Sequence, residues 1–122
     1  MVEISIEGDL VQFDVRGADK FWALRKRLSI PIAHIRAVQV DPKVARGWWH
    51  GLRIMGSNIP GILTAGTFYQ QGELVFYDVH DPERTIVLEL EHETYKKLIV
   101  EVEDPQADRK VIEEAIRNIA KD

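Results

Sequence analysis

The chain has no cysteine among its 122 residues. That excludes a disulfide framework, a thiolate nucleophile and a cysteine metal site, and it fits a reducing compartment, so a cytoplasmic location is the expectation. No stretch approaches the roughly 18 uninterrupted apolar residues of a membrane-spanning helix. Met1 leads straight into an alternating run without a basic segment or an apolar segment behind it, so no secretory leader is expected. There is no internal repeat and no low-complexity tract. Charge of one sign is also scarce: 16 Lys and Arg stand against 20 Asp and Glu, a net −4. A clustered positive surface is what phosphate backbones require, so a general nucleic-acid binder is excluded and only local basic patches remain.

What is present is enough apolar material for a core. Of the residues, 45% are hydrophobic and 30% charged, which separates the chain from disordered sequences, and its length suits one domain. In VEISIE, Val2, Ile4 and Ile6 alternate with Glu3, Ser5 and Glu7. After Gly8-Asp9 the apolar positions resume at Val11, Phe13 and Val15, which predicts a hairpin. Asp19 suits the cap of a short helix from Lys20 to about Arg25, with strand as the rival reading. Leu28 to Val40 reads as two short strands broken near Pro31 to His34, because proline cannot donate to a central ladder.

From Asp41 to Pro60 the period is lost. DPKVARGWWHGLRIMGSNIP carries two prolines, three glycines and a Trp-Trp pair, so a long loop is expected over 41–60. Strands resume at Gly61 to Tyr69, turn at Gln71-Gly72, run through Leu74 to Val79, turn at Asp81-Pro82 and return through Ile86 to Leu90. This is the pattern of a three-stranded meander. A polar link over Glu91 to Lys97 leads into Leu98, Val100 and Val102. Asp104-Pro105 then reads as an N-cap followed by proline at the first helical position. Val111, Ile112, Ala115, Ile116 and Ile119 share one face of the helix expected at about 105–121. The expected fold is mainly β: a barrel or orthogonal sandwich of seven to eight short antiparallel strands, capped by a C-terminal helix.

IPGILTAGTF, ELVFYDVHDPERTIVLEL and YKKLIVEVEDP together resemble small bacterial proteins with a pleckstrin-homology-like fold, and the likeness spans nearly the whole chain. Pro60-Gly61, Gly66-Thr67-Phe68, Asp81-Pro82 and Glu103-Asp104-Pro105 carry it. They punctuate structure and supply no catalytic group. The resemblance implies two nearly orthogonal sheets closed by a helix and leaves activity open. Relatives that bind phosphoinositides place Lys and Arg around the first hairpin turn. Here that turn is Glu7-Gly8-Asp9, whose carboxylates repel a phosphorylated headgroup, so that ligand is not implied.

Among candidate sites, Trp48, Trp49 and His50, flanked by Arg46 and Arg53, stand out. Paired indoles beside guanidinium groups suit a protein partner, a second copy, an interfacial membrane anchor or a stacked ligand. The competing reading turns one or both rings inward to cover the end of the core. Arg25-Lys26-Arg27 reads as a solvated face. His80 and His92 have carboxylates nearby in sequence, but in a hairpin of Leu74–Val79 with Ile86–Leu90 they lie about 20 Å apart, too far to share a metal. Ser5, Ser29 and Ser57 show no nucleophile elbow, and GSNIPG lacks the lysine of a phosphate-binding loop. The acidic residues mostly alternate with apolar ones and so should face solvent. No catalytic residue, metal ligand or cofactor is expected. The leading expectation is a non-enzymatic module that meets a protein partner or another copy of itself through the Trp48/Trp49 loop or a sheet edge. Peripheral binding to an anionic membrane surface, with Arg46 and Arg53 contributing about 1 kcal/mol each, is the alternative. A small-molecule or enzymatic pocket beneath the same loop, with His50 as its candidate residue, is the third.

Overall fold

The computed structural model describes residues 1–16, 27–41, 52–59, 63–70 and 72–120, with 52–59, 63–65 and 70 described by their backbone. The first hairpin pairs β1 (Val2–Glu7) with β2 (Leu10–Val15), and Glu7↔Leu10 closes a two-residue turn. Gly8 has φ 62° while Asp9 stays at negative φ, the sign pattern of a type II′ turn, which matches the twist of the strands it joins. β3 (Arg27–Pro31) adds to β2 with Leu28 opposite Phe13, completing a three-stranded sheet in the order β1-β2-β3. A 3₁₀ turn at Ile32–His34 makes the expected corner and leads into β4 (Ile35–Val40) of a second sheet.

That second sheet contains β4, β5 (Leu52–Ile59), β6 (Leu63–Gln70), β7 (Glu73–Val79), β8 (Thr85–Leu90) and β9 (Lys97–Glu101). Its order is β4-β8-β9-β7-β6-β5. Four expectations need correction here. The two sheets are open, with no closed barrel, and the described residues hold nine strands where seven to eight were expected. Residues 52–59 of the expected loop form β5, paired with β6 from Leu52↔Tyr69 to Ile59↔Leu63 with a bulge between Arg53 and Met55. As the last strand of the sheet, β5 tolerates Gly56 and polar residues that carry no alternation, because backbone hydrogen bonds to one neighbour suffice. The meander is also broken. β7 and β8 do not pair with each other, because β9 lies between them, parallel to β7 and antiparallel to β8.

This placement explains the apolar runs of the central strands. One core draws Val11 and Phe13 from the small sheet together with Phe76, Leu88 and Leu98 from the large one. Phe68, Val75, Tyr77, Val79, Val87 and Ile99 form a second cluster, and along β7, β8 and β9 they alternate with the first set. A central strand buried on both faces has no need of polar alternation. Helix α1 (Pro105–Ala120) packs against β4 and the 3₁₀ turn, with Ile112 fully buried and Ala115, Ile116 and Ile119 half-buried on the core. Val111, expected on that face, is instead 47% exposed, since the contact stripe centres one position further along. Tyr95, in what the sequence presents as a polar link, is buried edge-on against Phe76 with its hydroxyl 2.8 Å from Thr67 Oγ1. Among the described residues no helix is long and apolar enough to cross a membrane.

Candidate functional site

Of the residues singled out by sequence, Arg46, Trp48, Trp49 and His50 lie outside the described residues, as does the short helix expected at 20–25. Arg53 belongs to the backbone of β5, opposite Phe68 in β6. Of the basic run, Arg27 is placed: its Nε donates to Asp14 Oδ1 at 2.6 Å, and that bond raises the affinity of the guanidinium for its proton. The pair belongs to a polar outer face on the small sheet, beside Arg16 with Glu3 at 2.7 Å and Ser29 with Gln12.

The histidines go to separate places. His92, at φ 62°, sets its ring edge-on to His34 with centroids 5.7 Å apart, and His34 Nδ1 lies 2.5 Å from Glu93 Oε2. Glu91 N–H donates to the His34 carbonyl at 2.9 Å. These contacts fasten the β8–β9 link to the corner between the sheets. His80 belongs to a different structure, the arch over residues 80–84 that carries the chain from β7 to β8 across the end of β9. Glu101, the last residue of β9 and 2% exposed, is its clasp. Its Oε1 accepts from His80 N–H at 3.1 Å and its Oε2 from Arg84 Nη2 at 2.9 Å, while Val102 N–H donates to the Arg84 carbonyl. The expectation that strand carboxylates face solvent fails here and at Asp78, fully buried in β7 with the Met1 ammonium 3.2 Å from its Oδ2. A carboxylate on a strand with core on both sides has no solvent face to occupy, and it persists by meeting charge or backbone donors. Among the described residues no three His, Asp or Glu side chains converge as metal ligands.

Among the described residues, backbone donors, apolar surface and uncompensated charge meet at the free edge of β1. β1 ends its sheet, with β2 on one side only. Arg16 N–H donates to the Met1 carbonyl at 3.0 Å, so Met1 and Arg16 form a hydrogen-bonded pair of the antiparallel ladder. The alternation of that ladder gives Glu3, Ser5 and Glu7 the remaining bonds to β2. Val2, Ile4 and Ile6 therefore turn their N–H and C=O groups outward. Beside them lies a recess of about 590 Å³ bounded by Met1–Ile4 and by Glu103, Asp104 and Asp108 at the start of α1. Ile6, at the far end of the strand, is 36% exposed.

The acidic wall has a partly structural origin. Asp104 Oδ1 accepts from Ala107 N–H at 3.1 Å and caps the helix, as its position before Pro105 implies. Glu103 and Asp108 have no such duty, and among the described residues no Lys or Arg forms an ion pair with Glu103, Asp104 or Asp108. Partial burial, and secondarily the charge of Asp104, holds the Asp108 carboxyl above its ordinary value. Sequence identifies Glu103-Asp104-Pro105 as a helix start, but the nearness of β1 to that start is a tertiary fact with no local signal. Comparison of the chain with protein families, curated proteins and solved structures finds no match.

Proposed function

We propose that this chain is a non-enzymatic binding or assembly module of pleckstrin-homology-like fold, working by protein association at an open sheet edge. The observation that carries the reading is the outward row of backbone groups on β1. An unpaired edge strand is a template for another strand, and main-chain pairing supplies affinity while side chains at alternate positions supply selection. The two sheets and C-terminal helix support the fold assignment in its coarse form. Arg46, Trp48, Trp49 and His50, with Arg53 near the start of β5, are the second set of residues through which such a module would act.

The test compares solution mass and retained partners for the wild type, for Ile4→Pro and for the Trp48→Ala, Trp49→Ala double variant. Proline at position 4 deletes one outward N–H, a change an edge strand accepts because that donor is not part of its own ladder. Association lost in Ile4→Pro assigns it to the edge, and association lost in the tryptophan variant assigns it to the loop. A wild type that stays monomeric and retains no protein overturns the reading.

A further inference from the structure

Resting on that reading of the chain as a binding module, we infer that the free edge of β1 receives an extended basic peptide, which adds a fourth strand to the small sheet and sets Lys or Arg side chains over Glu103 and Asp108.

Geometry and charge both select this occupant. Val2, Ile4 and Ile6 each present one N–H and one C=O away from β2, a repeat that only another extended backbone matches. Their side chains point toward the core side of the sheet, where Val2 is buried, Ile4 is half-buried and Ile6 is partly open, so an incoming strand with a small apolar residue at alternate positions covers the exposed part of Ile6. The recess gives the strand room beside Met1–Ile4. Of the carboxylates along it, Glu3 is answered by Arg16, whereas Glu103, Asp104 and Asp108 meet no cationic side chain among the described residues. A second copy of β1 would bring Glu3, Glu7 and a second acidic helix start to the same place, and like charges set side by side oppose pairing. A strand carrying positive charge removes that repulsion and relieves the crowding between Asp104 and Asp108.

The probe is a fluorescent, end-blocked hexapeptide of alternating lysine and valine, titrated into the full chain by anisotropy. It is compared with the same peptide bearing glutamate for lysine, and with one N-methylated at alternate residues so that it cannot donate along the paired side. The lysine peptide is expected to bind at least about tenfold tighter than the glutamate peptide, with the difference shrinking at high salt, and N-methylation is expected to abolish binding. The double variant Glu103→Gln, Asp108→Asn, which leaves the Asp104 cap in place, is expected to weaken the lysine peptide about five- to tenfold. Amide exchange gives a second readout: bound peptide slows exchange at Val2, Ile4 and Ile6 and leaves Glu3 and Ser5, already bonded to β2, unchanged. Absence of binding by the lysine peptide, equal binding by the glutamate peptide, or no slowing at those three amides overturns the assignment. If these arms fail while the wild type still loses its association in Ile4→Pro, the edge remains a binding surface and only the basic peptide is removed.

Discussion

Glu101 shows how a single buried charge can have a structural purpose. Its two oxygens hold the two ends of the arch, His80 N–H on one side and the Arg84 guanidinium on the other. Arg84→Ala leaves that carboxylate buried with half its partners. Because Arg84 is itself 43% exposed, the loss falls below that of a fully buried pair, at about 1–3 kcal/mol in urea unfolding. Adding Glu101→Gln, which keeps an acceptor for His80 N–H but removes the charge, should return part of it. Asp108 makes the opposite case. Its carboxyl sits above its ordinary 3.8 through desolvation first and Asp104 second, so the folded chain holds this proton to higher pH than the unfolded one. Stability from this residue is therefore gained as pH falls through that window and lost as pH rises. Asp108→Asn is expected to raise stability at pH 7 by less than about 1 kcal/mol, since the group is only partly desolvated and a charge in the first helical turn has some dipole benefit. Thermal melts from pH 7 down to pH 3 should show the gap between variant and wild type closing.

At the scale of elements, turns and caps decide where strands and helices stop, and these were the most legible parts of the sequence. Gly8 sits at φ 62° with open space where a Cβ would go, so the penalty on substitution is conformational alone. Gly8→Ala should cost about 1 kcal/mol, and Gly8→Asn less, because asparagine tolerates left-handed backbone; denaturant midpoints of the two variants check the order. The β1–β2 hairpin, the corner at Pro31 to His34 and the helix start at Asp104-Pro105 were each readable because the residue types that permit them are few. β5 was not readable. Its sequence has no period of two, and what makes it a strand is a neighbour, β6, that already presents donors and acceptors. Tyr95 was missed for a similar reason, since its place under Phe76 comes from how the β8–β9 link folds back. The candidate site at β1 follows the same division: the strand and the acidic cap could each be read, and their adjacency could not.

For the whole molecule, the lesson is topological. Local apolar runs at 73–79 and 85–90 suggest neighbours, and two strands joined by a short arch are neighbours in most sheets. Here β9 separates them, and the large sheet is continuous only through it. Deleting the chain from residue 91 onward removes the central strand, its Leu98 and Val100 from the core, and α1 with Ile112. The expected result is loss of cooperative unfolding, read by calorimetry or urea titration, in place of a partial drop in stability. Among the described residues two of the seven strand pairings, β4 with β8 and β7 with β9, join strands that are not consecutive in the chain, and this non-local pairing places refolding of the intact chain in the millisecond-to-second range of β-rich topologies.

The position of β9 also sets an order of events during synthesis. Residues 35–90 emerge from the ribosome before the strand that joins their two halves, so β4 and β8 on one side, and β5, β6 and β7 on the other, face an empty slot until residues 97–101 appear. For that interval β7 and β8 are raw edges rich in valine, phenylalanine and isoleucine, the kind of strand that captures the wrong neighbour. The newborn chain is thus most in need of a chaperone between the synthesis of β8 and that of β9, and β9 is the strand that removes the need.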